Sequence, residues 1–334
     1  MMALRVLQLL ALIHRASGWK IYAAGSGHDM FSVQETCAEV IAMTGKRAPR
    51  VLYLGTATYD DAAAAKAQTQ HFTQLGCAVH NLSVSYATPP QSALAEAFAN
   101  TDVVLVSGGN TLFATDRWKK LGMDAMIRDA GRRGVVLAGG SAGGITWFDG
   151  GHSDSMDPNT YKNPPGPLVN PNLTKAELDK SWAYIRAPAL GLLPGLFCPH
   201  YDVTEGNGEL RATSFTTTLR HFSGEQGVAV DNWAALRFEG DTYSVVSRKG
   251  KTGSVGPDGK FTTNFTAGHP GAWTMRIDAK DGALLRSLVP STGRTNDLVR
   301  DAAYLAEDSM LPVARRQNPD DGLPPSTGMA AEER

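Results

Sequence analysis

Val135-Val136-Leu137-Ala138-Gly139-Gly140-Ser141-Ala142-Gly143-Gly144-Ile145 runs from an apolar strand through a GxSxG turn into a helix-like segment. The short apolar run reads as a fully buried strand. The glycines after it permit a sharp reversal with Ser141 at its apex. Such a turn lifts the serine oxygen clear of the backbone and aims the N–H groups that follow at developing negative charge. A phosphate-binding loop is the structural rival. It would need the Lys of GxxxxGK[ST], and GGSAGG is out of register with GxGxxG. Ser141 is therefore a candidate nucleophile, and a tight turn or anion site is the plainer alternative.

Outward from this turn the chain keeps one rhythm. Apolar β-rich runs at 19–25, 50–55, 78–84, 102–107 and 134–139 alternate with helical stretches at 60–75, 92–99, 111–120 and 123–132. Near-continuous apolar strands alternating with helices predict an α/β fold with a mostly parallel sheet covered on both faces. Functional loops then gather at the carboxyl ends of the strands. The turns Gly25-Ser26-Gly27, Gly108-Gly109-Asn110 and Gly139-Gly140-Ser141 all fall there.

Beyond Trp147 the texture changes. The segment 149–194 is rich in Gly, Pro, Asn and Ser and reads as a long excursion, with a helical piece near 175–184. A strand at 195–200, a helix at 209–221 and β-rich runs at 227–231, 234–239 and 243–248 follow. Residues 250–271 read as hairpins and turns. The domain reading is an extension at 1–18, one α/β domain at 19–311, and a tail at 312–334 with the composition of disorder. There is no internal repeat.

Composition bounds the function. Of 334 residues 42% are hydrophobic, enough for a sizeable core. Lys and Arg total 32 against 33 Asp and Glu, so binding to nucleic acid through bulk charge is excluded. The apolar run Val6–Ile13 is too short to span a membrane, for which about 20 residues are needed. It sits at the lower limit of a signal-peptide core and lacks a clean cleavage site, so a cytoplasmic protein is the expectation. Cys37, Cys77 and Cys198 have no CxxC spacing and read as thiols in a reducing compartment, with Cys198 close to a possible site. No HExxH is present, and the Asp-rich stretch 149–157 lacks the placements of a calcium loop, so no metal or other cofactor is expected.

A serine nucleophile needs donors for the oxyanion, a base and a group that orients the base. The backbone N–H groups of Gly109 and Ala142 are the candidate oxyanion donors, although the Gly109 turn could simply need a positive φ. Of eight histidines, His200 ends the apolar strand Gly195-Leu196-Phe197-Cys198-Pro199 and is the candidate base. His14, His71 and His80 read as structural or solvated, His28 as a rim residue, and His152 lies on the excursion. Asp231 and Asn232 end another apolar strand and are the candidate orienting groups. Asp202 is too close to His200 in sequence to reach around its ring comfortably.

At these residues the chain resembles the peptidase E (aspartyl dipeptidase) family of serine peptidases, which includes the cyanophycinases. The matching pieces are VSGGNTLF at 106–113, AGGSAGGITWF at 138–148, GHSDSM at 151–156 and FCPHYD at 197–202. The resemblance implies a flavodoxin-like three-layer sandwich of the class I glutamine amidotransferase type. It further implies Ser141 as nucleophile, His200 as base, and Gly109 and Ala142 as oxyanion hole. Two departures stand out. The family's third member is usually Glu, and the matching position here holds Asn232, with Asp231 one residue earlier. His200 also follows Ser141 by 59 residues, a longer span than in the compact dipeptidases. In those members a basic residue soon after the His reads an acidic substrate side chain. Arg211 is the nearest counterpart, with a surface helix Arg as its plainer reading, and Asn110 joins it as a candidate substrate contact.

The leading expectation is a serine-type dipeptidase or exopeptidase acting on small peptides, with aspartyl dipeptides among the candidates, through a Ser141–His200–Asp231/Asn232 acyl-enzyme mechanism. Its oligomeric state, monomer or homodimer, is open. Two rivals are an α/β-hydrolase esterase using His269 as base, and a catalytically silent binding module, for which Asn232 is the support. Charge favours Asp231 as the orienting group, and position favours Asn232.

Overall fold

A computed structural model describes residues 18–162 and 172–299. The expected extension at 1–18 and tail at 312–334 lie outside these residues, apart from Gly18. The first five strands are β1 (Lys20–Ala24), β2 (Arg50–Leu54), β3 (Ala78–Asn81), β4 (Val103–Val106) and β5 (Val136–Gly140). They pair in parallel in the order β1-β5-β4-β2-β3. Strands buried on both faces need apolar residues at every position, which is what Val103–Val106 supplies. The helices Ala62–Gln74 and Thr111–Leu121 begin at Asp61 and Asn110, whose side chains accept from Ala64 N at 2.7 Å and Phe113 N at 2.9 Å.

The segment expected to run as an excursion carries most of β6 (Phe148–Ser153) and all of β7 (Ile185–Pro188). With β8 (Leu193–Cys198), β9 (Gly227–Val230), β12 (Ala272–Ile277) and β13 (Leu284–Leu288) they form a second sheet, ordered β13-β12-β9-β8-β6-β7. Between β9 and β12 the chain returns to the first sheet. There β10 (Ala234–Glu239) pairs antiparallel with β1, β11 (Thr242–Ser247) with β10, and β14 (Thr292–Arg294) with β11. Residues 250–271 are turns, held by backbone bridges from Val255 to Phe261 and His269.

The layers follow from strand alternation. On one face of the first sheet Tyr22, Tyr53, Leu105 and Ala138 pack against Phe31, Val40 and Phe72 of the helices Gln34–Thr44 and Ala62–Gln74 and the short turn before them. On the other face Ile21, Leu52, Val104 and Leu137 share a core with Trp118 and Ile127, and with Phe148, Phe197 and Val228 of the second sheet. The rings of Phe148 and Phe197 stack at 4.9 Å. The helix Arg211–His221 covers the far side of the second sheet through Phe215 and Leu219. The result is a flavodoxin-like three-layer α/β sandwich, onto which the second sheet packs beside β1 and β5. Because β1 sits centrally, its carboxyl end meets the ends of strands from both sheets.

Candidate active site

Ser141 follows β5 with φ 56° and ψ −122°, in a region that L-residues rarely adopt. Its N–H donates to Ala24 O at 3.2 Å, and its own carbonyl accepts from Gly144 N and Ile145 N. The turn is therefore held from both ends, and the half-buried hydroxyl forms no hydrogen bond among the described residues. His200 is a second strained residue, with φ 49°. Its N–H donates to Gly25 O at 3.2 Å. The backbones of Ser141 and His200, from two different sheets, thus dock on consecutive carbonyls at the end of β1. Strain of about 1–3 kcal/mol per residue persists only where the surroundings impose it, and it concentrates at functional sites.

The candidate oxyanion donors border the same turn. A Cβ placed on Gly108 would sit 3.3 Å from Ser141 Cβ, so the turn after β4 lies against the serine. Gly109 has φ +109°, and a Cβ there would fall 2.3 Å from Ala57 O, so both conformation and space require glycine. The N–H groups of Gly109 and Ala142 donate to no acceptor among the described residues. The helix after Ser141 has only four residues, Ala142–Ile145, so it offers individual N–H groups rather than a sizeable dipole.

His200 Nδ1 lies 2.6 Å from Asn232 Oδ1, and Asn232 Nδ2 donates to Asp29 Oδ2 at 2.8 Å. Since an ionised carboxylate only accepts, the amide nitrogen belongs on the Asp29 side and its oxygen faces the imidazole. Nδ1 then carries the ring proton and Nε2 is left free to take one. Burial, and next the charge of Arg211, hold His200 below its ordinary 6.5, while Glu205, the Asn232 bond and Asp154 pull the other way. A neutral imidazole is the form a general base needs.

Asp231, the candidate favoured on charge, is not the orienting group. Directly after β9 it points into the protein, where it is fully buried. Its carboxylate accepts from Ser254 N at 2.8 Å, Ser254 Oγ at 2.7 Å and Gly271 N at 2.8 Å. Burial and the neighbouring Asp202 push it up to about 8. Asp202 accepts from the Asn232 backbone N–H at 2.7 Å and so fixes that residue from its other side.

The two candidate substrate contacts are both buried. Asn110 is buried, caps the helix Thr111–Leu121 with Oδ1, and donates Nδ2 to Ser155 O at 3.1 Å and Thr160 Oγ1 at 2.9 Å. Its polar atoms are used inside the fold. Arg211 is no surface residue either: it is fully buried, with Nη1 3.0 Å from Glu205 Oε1 and Nη2 3.4 Å from Asp154 Oδ2. Its guanidinium lies 4.9 Å over the Tyr184 ring. His152 stacks on Tyr184 at 4.2 Å, bonds Thr218 Oγ1 through Nδ1, and is held well below its ordinary value by burial and next by Arg211. His28 is exposed. His269 is exposed and bridged through its backbone to Val255, and its ring has no hydrogen-bond partner among the described residues, so the esterase alternative lacks an oriented base.

Asp29 and the GHSDSM contacts are what the sequence reading missed. Asp29 lies 203 residues before Asn232, and no spacing signal connects them. The serines of GHSDSM support the oxyanion turn, with Ser155 Oγ accepting from Leu112 N at 3.2 Å and Ser153 Oγ donating to Thr111 Oγ1 at 3.2 Å. Among the described residues no group of three or more His, Cys, Asp or Glu is disposed to hold a metal, and no helix is long and apolar enough to cross a membrane.

The family model of peptidase family S51 matches residues 21–246. The chain is 33% identical over 233 residues to the uncharacterized peptidase YgaJ of Bacillus subtilis (strain 168), covering 69% of this chain and 88% of that protein. Two crystal structures share the fold. A peptidase E candidate from Listeria monocytogenes EGD-e aligns at 18% identity and a TM-score of 0.50, covering 68% of this chain and 98% of that one. A peptidase from an acI-B1 Actinobacterium aligns at 13% identity and a TM-score of 0.50, covering 83% of this chain and 99% of that one.

Proposed function

The chain belongs to peptidase family S51, a family of serine peptidases, and on that premise we propose that it hydrolyses small peptides through an acyl-enzyme on Ser141. Ser141 Oγ attacks the scissile carbonyl carbon while His200 Nε2 takes its proton. The tetrahedral oxyanion accepts from the N–H groups of Gly109 and Ala142. His200 then protonates the departing amine, and a water it activates in turn releases the acyl group. The observation that carries this reading is the 2.6 Å bond from His200 Nδ1 to Asn232 Oδ1, beside the strained Ser141 turn. A neutral orienter holds the tautomer as an acid would, so the silent-module alternative loses its argument.

Arg211 narrows the substrate class. Its guanidinium is fully buried and already faces the carboxylates of Asp154 and Glu205, so it is not offered to an acidic substrate side chain. The proposal is therefore a dipeptidase or exopeptidase for short peptides that does not depend on Asp at the cleaved position, acting in the cytoplasm. Assaying a dipeptide library with wild type and Ser141→Ala tests it. Hydrolysis of several peptides, lost by about 10⁴–10⁶-fold in the variant, is the expected result. Turnover by Ser141→Ala within tenfold of wild type overturns the serine mechanism.

A further inference from the structure

We propose that Asp29 is a positioning residue that completes a four-member line Ser141–His200–Asn232–Asp29, placing the charge of a triad acid one residue further from the imidazole. The proposal rests on the serine-peptidase reading above.

An amide can face a histidine with either its oxygen or its nitrogen, and only the oxygen can accept from Nδ1–H. Nothing in Asn232 itself selects that orientation. Asp29 does, because its Oδ2 lies 2.8 Å from Asn232 Nδ2 and a carboxylate offers no proton to an amide nitrogen. Asp29 is in turn fixed. Its carboxylate accepts from Ser26 Oγ at 3.1 Å, and its backbone N–H donates to the same oxygen at 3.0 Å. Ser26 belongs to the Gly25-Ser26-Gly27 turn that ends β1, whose Gly25 carbonyl holds His200. Asp202, bonded to the Asn232 backbone N–H at 2.7 Å, pins the main chain while Asp29 pins the side chain.

The electrostatic consequence follows from the same contacts. As His200 takes the serine proton, its positive charge develops opposite Asn232 Oδ1. That oxygen is made more negative because the other end of the amide donates to a carboxylate. No proton crosses the amide, and Asp29 acts through its charge and its hydrogen bond. The arrangement also accounts for the absence of an acid at position 232. A carboxylate there would stand 2.8 Å from Asp29, and two such groups cannot both be ionised without a large penalty.

A residue swap in the full-length protein tests the proposal. Asp29→Asn is expected to lower kcat about tenfold or more with little change in KM, since substrate binding is untouched. Asn232→Asp alone is expected to be impaired as well, despite restoring an acid beside the histidine. The double variant Asp29→Asn/Asn232→Asp recovers activity above either single change, because the amide then at position 29 can donate to the carboxylate at position 232. The second readout needs no activity: the downfield proton resonance of His200 Nδ1–H is expected in wild type, weakened in Asp29→Asn and restored in the swap. If Asp29→Asn does not fold, Asn232→Asp decides, and activity above wild type there overturns the proposal. So does an Asp29→Asn protein with kcat within twofold of wild type and an unchanged Nδ1–H signal. An intact resonance pattern in a protein whose Ser141→Ala variant still turns over would instead refute the peptidase mechanism and leave the positioning role standing.

Discussion

Asp231 accepts from Ser254 and Gly271, whereas the next residue, Asn232, bonds the imidazole of His200. Both lie past the end of β9 at Val230, in the turn closed by Ala234 N on Asp231 O, which sends one side chain into the fold and the other to the site. The sequence shows two polar residues closing an apolar strand, but which one faces the histidine is set by the turn after β9 and not by strand alternation. Asp231→Asn is therefore expected to leave kcat near wild type, while Asn232→Ala costs about 10²-fold or more by releasing the tautomer. Steady-state kinetics on both variants checks this. Asp231 also carries a pH signature. Its folded value of about 8 lies above its ordinary 3.8, so the folded state holds a proton that the unfolded state has lost. Stability from this group is present below about pH 4 and declines as pH rises to about 8. Urea midpoints between pH 5 and 8 are expected to fall in wild type and to fall less in Asp231→Asn. His200 moves the other way, below 6.5. The neutral base then survives to lower pH, and the acid limb of kcat/KM is expected below pH 6.5.

The end of β6 reaches over to the helix Thr111–Leu121, and this contact sets the oxyanion turn. Ser155 accepts from Leu112 N and from Asn110 Nδ2, and Asn110 caps the helix directly after Gly109. Asn110→Ala is expected to cost about 1–2 kcal/mol of stability through the lost cap. It is also expected to lower kcat, because the Gly109 N–H loses its anchor. Thermal melts with parallel kinetics measure both effects. The elements differed in how readable they were. The turn around Ser141 and the helix Met123–Arg132 followed from local pattern. β6 did not, because Gly150 and Gly151 carry no β propensity; a Cβ on Gly151 would fall 2.5 Å from Phe197 O, so pairing with β8 demands glycine there. The spacing of Cys37, Val40 and Met43 fits the helix Gln34–Thr44, and the alternation of Trp273, Met275 and Ile277 fits β12.

Across the whole molecule, the site exists because two sheets meet at the end of β1. Alternation of strand and helix gave the α/β class and the parallel core. It could not reveal that the chain leaves the first sheet after β5, builds the second, and returns through β10 to flank β1. That path brings Ser141, His200, Asn232 and Asp29 to one place, and it rests on long-range pairing rather than local propensity. The shared core of Phe148, Phe197, Val228 and Leu137 fixes the sheets against each other, and with them the serine and its base. The central claim is that Ser141 is the group acylated by substrate. Reacting the full-length protein with a small fluorophosphonate and locating the adduct by peptide mass spectrometry tests it most directly. One adduct on Ser141, formed in step with loss of peptidase activity and absent in Ser141→Ala, is the predicted result. Loss of activity with the adduct on another residue and Ser141 unmodified would contradict it.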